Sequence, residues 1–219
     1  EGGKVVAGCN IDTSDLTATI DGLTAETWTP LAETYYEVTR YFRGLSSHYN
    51  SDTTYTSPIE YRCQKNFTIV VTDGLPTYDA SYPDNDPADT ADGSRSLPNW
   101  DGVDNDGPNE GGSGEGDSLY LDDIAKFAWD IDFKTSGEDI TGGSYEDEKY
   151  NHQNMYTYTV GFTVANQMLE DAASYGNGLY LTANNAAQLR EELGKAISDI
   201  QGKLGASSSA AASGGYITA

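Results

Sequence analysis

The 219-residue chain lacks any uninterrupted run of about 18 apolar residues, so the sequence predicts no membrane-spanning helix. It is also poor in basic residues: 12 Lys and Arg stand against 35 Asp and Glu, which gives a formal charge of −23. This charge argues against nucleic acid and anionic membrane surfaces as partners, because both would repel the chain. It favours solubility and divalent cations as ligands.

Motifs that mark common catalytic sites are missing as well. The chain has no Gly-Lys-Ser phosphate loop, no Gly-x-Ser-x-Gly elbow and only two histidines, His48 and His152, both in polar segments. Asp122 and Asp123 are predicted to form a solvated helix face, since adjacent residues on a helix diverge and make a poor acid/base pair. The sequence therefore predicts a protein that is not an enzyme. A secreted acidic hydrolase, suggested by the carboxylate-rich segments, stays open as an alternative.

Only two cysteines are present, Cys9 and Cys63, and their spacing fits no zinc-binding pattern. An even number of cysteines in an acidic, Tyr-rich and Gly-rich chain suits an oxidising compartment, which predicts a disulfide between Cys9 and Cys63. Two buried free thiols are the alternative. The chain begins at Glu1 without a methionine or a visible signal peptide, so we expect it to be cut from a longer protein.

The stretch from Phe67 to Pro76 organises the rest of the chain. Phe67 to Val71 are β-branched or aromatic and carry no charge, which is typical of a strand buried on both faces of a parallel sheet. Asp73 follows at the carboxyl end of this strand, where open α/β sheets place their ligands. A simple Asp-Gly turn is the alternative.

Local patterns predict the remaining elements. Thr29 is predicted to cap a helix whose first position is Pro30 and which ends at Gly44. The alternation of strands and helices predicts an α/β fold with a mostly parallel open sheet and helices on both faces. Apolar spacing predicts helices near 12–23, 30–43, 118–130, 168–173 and 185–204, and β-rich runs predict strands near 4–7, 155–164 and 178–182.

Composition divides the chain into a domain, an insertion and a tail. Residues 1–204 are predicted to form one domain, interrupted at about 78–117 by an acidic loop outside the core. Residues 205–219 are mostly Ser, Ala and Gly and are predicted to be a linker. Within the acidic loop, Asp101, Asp104 and Asp106 resemble a calcium-binding repeat, although their spacing is not that of an EF-hand. A solvated acidic loop is the alternative.

Two motifs carry a resemblance to a known family. Ile69-Val70-Val71-Thr72-Asp73-Gly74 resembles the fourth strand of a von Willebrand factor A-type domain, and Trp28-Thr29-Pro30 resembles the loop that supplies a threonine to its metal site. The strings Thr-Trp-Thr-Pro-Leu-Ala-Glu-Thr and Tyr-Arg-Cys-Gln-Lys-Asn-Phe-Thr are similar to the A-type domain of the PilC/PilY family, the tip-associated adhesins of type IV pili. The resemblance covers most of the chain, except about 78–117 and the last dozen residues.

The resemblance implies a metal-dependent adhesion site in which Thr29 and Asp73 help to hold a divalent cation, Mg²⁺ or Ca²⁺. The family's first metal-binding loop, an Asp-x-Ser-x-Ser string, is absent. Asp12-Thr13-Ser14 is the nearest string, but it lacks the second serine. The resemblance therefore implies that the chain corresponds to the C-terminal two-thirds of an A-type domain, without its first strands.

The resemblance also implies an extracellular module at the pilus tip, on the cell surface, that supports pilus biogenesis and surface attachment. The expected partners are other pilus tip or minor pilin subunits, the missing part of the parent protein, and a host or surface ligand. A structural packing unit of a surface complex, without a metal site of its own, is the alternative.

Overall fold

Helices and strands alternate along the part of the chain that a computed structural model describes, namely residues 2–9, 11–24, 28–83, 85–89, 96–103 and 119–212, with side chains to residue 205. In chain order the elements are α1 (Thr13–Asp21), α2 (Leu31–Arg43), β1 (Asn66–Thr72), α3 (Leu121–Asp130), β2 (Met155–Phe162), α4 (Gln167–Tyr175), β3 (Tyr180–Ala183) and α5 (Ala186–Ala212).

The three strands form one open sheet in the order β1-β2-β3. Both pairs are parallel: Val70 lies opposite Thr159 in the first, and Val160 lies opposite Leu181 in the second. The predicted α/β fold with a parallel open sheet is therefore confirmed.

The core lies where α2, α3 and α4 pack together and against β2. The hydroxyl groups of Tyr35 on α2 and Thr157 on β2 share a hydrogen bond of 2.5 Å. Full burial of a large apolar side chain stabilises a fold by about 1.5–3 kcal/mol, so this region supplies most of the hydrophobic stabilisation. Its largest fully buried side chains include Tyr35, Tyr36, Leu121, Ile124, Phe127, Met155, Tyr158, Val160 and Leu169.

β1 is less buried than its sequence predicts. Its ends, Asn66 and Thr72, are buried, but residues 67–70 are half-buried and Val71 is 47% exposed. The reason is its position, because β1 pairs with β2 on one side and no described strand lies along its other edge. The prediction of a strand buried on both faces is wrong for β1 and describes β2 better.

The chain before α2 also differs from prediction. Residues 4–7 form no strand and instead run along α2, where a Cβ added to Gly3 would lie 2.7 Å from the Thr34 Cγ2 atom. The predicted helix near residues 12–23 is present as α1, yet it buries none of its residues. Within the described part of the chain, α1 therefore lacks a neighbour that buries its apolar face.

Two predictions about loops and linkers are corrected. α5 continues to Ala212 through most of the expected linker, in agreement with the high helix propensity of its alanines. The described parts of the acidic stretch contain no helix or strand, but Asp79, Asp86 and Trp100 within it are buried. These three residues belong to the core, because their side chains bond to α2 or α3.

Candidate functional site

The two residues of the predicted adhesion site lie in neighbouring loops at the carboxyl end of β1. The Thr29 N–H donates to the Thr77 Oγ1 atom at 2.7 Å, and the Thr77 N–H donates to the Thr29 carbonyl at 3.0 Å. These reciprocal bonds join the loop before α2 to the loop that carries Asp73. Asp73 is exposed and follows directly after the end of β1.

An aromatic pair supports the same junction. The rings of Trp28 and Tyr78 pack with centroids 4.5 Å apart, and Trp28 remains 49% exposed. Tyr78 has a φ of 51°, a left-handed conformation that side chains other than Gly seldom adopt. Together, these residues form the rim of the sheet, which we define as residues 28–30 and 73–79.

The cap of α2 differs from prediction and was missed by sequence reasoning. Pro30, not Thr29, stands at the N-cap position, and no side chain of that residue caps the helix. Instead, the buried Asp79 carboxylate accepts hydrogen bonds from the Ala32 N–H at 2.8 Å and the Glu33 N–H at 2.7 Å. Asp79 lies 47 residues after Ala32, so no local pattern indicated this contact.

The carboxyl group of Asp79 has an unusually high pKa. Burial raises the pKa of its carboxyl group to about 8, and the nearby Glu33 carboxylate adds to the shift. The backbone N–H groups at the start of α2 act in the opposite direction, because they stabilise the carboxylate. The rim therefore rests on a carboxyl group whose charge changes near neutral pH.

Further buried acids fasten loops to α2. Glu33 accepts a hydrogen bond from the Ser81 N–H at 2.8 Å, and Glu37 accepts one from the Tyr55 hydroxyl at 2.6 Å. Asp86 receives two hydrogen bonds from Arg43, at 2.8 and 2.9 Å, and a short one from Tyr36. Although burial opposes it, the Arg43 guanidinium lowers the pKa of Asp86. These carboxylates therefore have a structural role, since their hydrogen bonds connect surface loops to α2.

The predicted second calcium site is described only at Asp101, since Asp104 and Asp106 lie outside the described residues. The Asp101 carboxylate accepts hydrogen bonds from the Val103 N–H at 2.7 Å and the Tyr175 hydroxyl at 2.9 Å. The Asp101 N–H donates to the Asp123 Oδ1 atom at 2.8 Å. Asp101 thus ties its loop to α3 and α4, and calcium binding there stays a prediction.

Asp122 and Asp123 are not the solvated face that was predicted. Their exposed fractions are 2% and 0%, and they lie in the first turn of α3. Acidic side chains favour this place because the backbone dipoles of a helix make its N-terminus positive. Their burial depends on the packing of α3 against α2 and α4, which the sequence alone did not reveal.

The predicted disulfide is not formed in this structure. Cys9 and Cys63 are both free and both exposed, so the alternative of buried thiols is not found either. Cys9 lies beside α2 and donates its N–H to the Tyr41 hydroxyl at 3.0 Å, whereas Cys63 lies in a turn before β1. The two residues belong to different surface segments.

A cleft of about 820 Å³ is lined in part by two carboxylates, Asp130 and Asp132. Asp130 pairs with Lys126 at 2.8 Å and accepts a hydrogen bond from the Trp100 indole at 3.2 Å. Asp132 accepts bonds from the backbone N–H groups of Lys134 and Gln153, both at 3.0 Å. Both carboxylates are thus bonded to neighbouring groups of the protein.

Comparison with known proteins returns no matching family model, no matching curated protein and no matching solved structure. Among the described residues, no group of three or more His, Cys, Asp and Glu residues is arranged to hold a metal ion. None of the described helices combines the length and apolar character that a membrane crossing requires.

Proposed function

We propose that this chain is the binding module of an extracellular, type IV pilus tip-associated adhesin, with a von Willebrand factor A-like fold. It supports pilus biogenesis and surface attachment through a divalent cation held in part by Thr29 and Asp73. The cation leaves one coordination position open for an acidic group of the partner. The proposed partners are minor pilins or other tip subunits, the rest of the parent protein, and a host or surface ligand.

One observation carries this proposal: the reciprocal hydrogen bonds between Thr29 and Thr77. They bring the loops of Thr29 and Asp73 together at the carboxyl end of a parallel strand. Ligands of open α/β sheets bind at this end of the strands, and Mg²⁺ and Ca²⁺ prefer hydroxyl and carboxylate oxygens. The strings that resemble the PilC/PilY family support the pilus assignment, and the charge of −23 supports a cation as ligand.

Titration with MgCl₂ and CaCl₂, followed by calorimetry, tests the metal site. We expect weak binding by the wild-type chain, since Thr29 and Asp73 supply only part of a coordination sphere. Asp73→Ala should abolish the binding and Thr29→Ala should weaken it. Asp15→Ala, which removes an exposed carboxylate from α1, is the matched control and should bind like wild type.

A second candidate function follows from the lack of a metal-holding cluster among the described residues. In this case the chain is a structural packing unit of a surface complex. Equal and negligible metal affinity of wild type and all three variants would select this function over the adhesion site. Both candidates are non-catalytic, in keeping with the lack of catalytic motifs in the sequence.

A further inference from the structure

The rim of the sheet presents an exposed aromatic surface. Trp28 is 49% exposed, and its ring packs against that of Tyr78 with the centroids 4.5 Å apart and an angle of 47° between the two planes. Leu75 of the same rim is 47% exposed, and Asp73 is exposed as well. The rim thus offers an aromatic pair, an apolar side chain and a carboxylate to a partner.

The aromatic pair is held in place by the backbone on both sides. Thr29 follows Trp28 and Thr77 precedes Tyr78, and the two threonines exchange hydrogen bonds of 2.7 and 3.0 Å. Asp79, the residue after Tyr78, is bonded to the start of α2. A preformed surface loses little conformational freedom when a partner binds, which favours the complex.

Other rings of the chain are already paired with its own cations. Lys or Arg head groups lie 5.0–6.0 Å from the ring centroids of Tyr36, Phe127, Tyr145, Tyr150, Tyr156, Tyr158 and Tyr175.

Trp28 and Tyr78 differ from these rings. Within the described part of the chain, no Lys or Arg head group lies over either of them. Lys4 and Trp28 line the same groove beside β1, but the ammonium group is not placed over the ring. Trp is also the side chain whose ring attracts cations most strongly. The rim therefore keeps its best cation-binding ring available to a group from outside the chain.

The charge of the rim favours a basic partner. Residues 28–30 and 73–79 contain no Lys, Arg or His, and they include the exposed Asp73. The whole chain carries a formal charge of −23, so its field attracts cationic segments and repels acidic ones.

We propose that the rim binds a basic, arginine-containing segment of a partner protein, with an arginine head group seated on the ring of Trp28. The aliphatic part of an arginine side chain packs on apolar surface, which Leu75 supplies in the same rim. Asp73 adds a negative charge that favours the guanidinium. The inference goes beyond the adhesion site, because the contact with Trp28 requires no metal.

The probe is the peptide acetyl-Gly-Arg-Gly-Arg-Gly-Arg-Gly-amide, added to the whole chain in EDTA, and calorimetry measures its affinity. Sodium chloride at about 0.15 M limits nonspecific attraction, since it screens exposed charges that are more than about 8 Å apart. A control peptide with Gln in place of each Arg has the same length and no charge. We expect it to bind about tenfold more weakly or less, because a neutral amide lacks the attraction of a cation to the ring.

Matched substitutions identify the ring. Trp28→Leu keeps an apolar side chain but removes the aromatic face, and it should weaken the arginine peptide about fivefold. Trp28→Tyr retains a ring and should keep most of the affinity. Tyr61→Leu removes an exposed ring outside the rim and should bind like wild type. Asp73→Asn should weaken the peptide about twofold, as expected for an exposed charge pair. Circular dichroism checks that the variants are folded.

Three results would overturn the inference. The first is a wild-type chain that binds the arginine peptide no more tightly than the glutamine peptide. The second is equal affinity of the folded Trp28→Leu and Tyr61→Leu variants for the arginine peptide. The third is tighter binding of a peptide with Glu in place of each Arg, which would make the rim a site for acidic segments. The metal titration has no influence on these outcomes, because EDTA removes the metal.

Discussion

β1 and β2 are similar in sequence but differ in their surroundings. Both are uncharged and rich in β-branched and aromatic residues, yet Val160 of β2 is fully buried whereas Val71 of β1 is 47% exposed. Among the described residues, β2 has a strand on each side and β1 has one neighbouring strand. The comparison shows that an uncharged, β-branched sequence predicts a strand. It does not predict how many other strands pair with it or how deeply it is buried.

The same contrast separates two helices. α3 buries Leu121, Ile124 and Phe127 completely against its neighbours. α1 carries Leu16 and Ile20 at helical spacing, but both are exposed. The described part of the molecule thus has a closed side, built on β2, α3 and α4, and an open side, formed by residues 2–9 and 11–24 and by the edge of β1.

The largest expected effect comes from one substitution made on both sides. Val160→Ala removes two buried methyl groups from the closed side and should lower the free energy of unfolding by about 2 kcal/mol. Val71→Ala, on the open side, should lower it by about 0.5 kcal/mol or less, because the side chain keeps much of its contact with water. Urea denaturation of the two variants measures the difference.

Equal losses in the two valine variants would contradict this comparison. In that case β1 would be as closely packed as β2 in solution, and the open edge would already be covered. The slope of the urea transition serves as a control, since it should not differ between the variants.

A pH-dependent effect concerns Asp79, which connects the loop after β1 to the start of α2. Its pKa is raised to about 8 in the folded protein, above the usual value of 3.8. Between these values the folded state binds the proton more tightly than the unfolded state. The contribution of Asp79 to stability is therefore full below about pH 4 and is lost as the pH rises towards about 8.

Asp79→Asn removes this dependence while an amide oxygen can still accept a backbone hydrogen bond. We expect the wild-type protein to lose stability relative to the variant as the pH rises from about 5 to about 8. Urea midpoints of both proteins across this range provide the measurement. Parallel pH profiles would show that Asp79 does not titrate there.

The smallest effect is expected on α1. Ile20→Ser should change the free energy of unfolding by about 0.5 kcal/mol or less. The side chain of Ile20 is 56% exposed, and no residue of α1 is buried. Thermal unfolding of the variant beside wild type tests this. A clear drop in melting temperature would place α1 in a packed interface and remove the distinction between the two sides.

Much of the fold could be predicted from local patterns. The apolar spacing of α2, α3 and α4 and the β-rich runs of β1 and β2 placed these elements within a few residues of their observed bounds. Gly44 ends α2 in a left-handed conformation, as its position after the helix predicts. The extension of α5 through its alanines was also readable from helix propensity, but the Ser and Gly content of the tail favoured a linker.

The candidate site was predictable only in part. Thr29 lies just before a helix, and Asp73 lies just after a strand. The sequence placed both residues in loops, and the structure joins these loops by hydrogen bonds between Thr29 and Thr77. The cap supplied by Asp79 was not readable, because it depends on a contact between residues 47 positions apart. The burial of Asp122 likewise follows from the packing of three helices and not from its own segment.

By itself, the sequence determined which segments become helices and strands, because spacing and propensity act within a few residues. It also determined the strongly negative charge and the chemical character of each strand. Tertiary structure alone decided which strand has two neighbours, which carboxylates are buried as clamps, and which edge stays open. These outcomes depend on residues distant along the chain, whose contacts form only when the sheet and the helices pack.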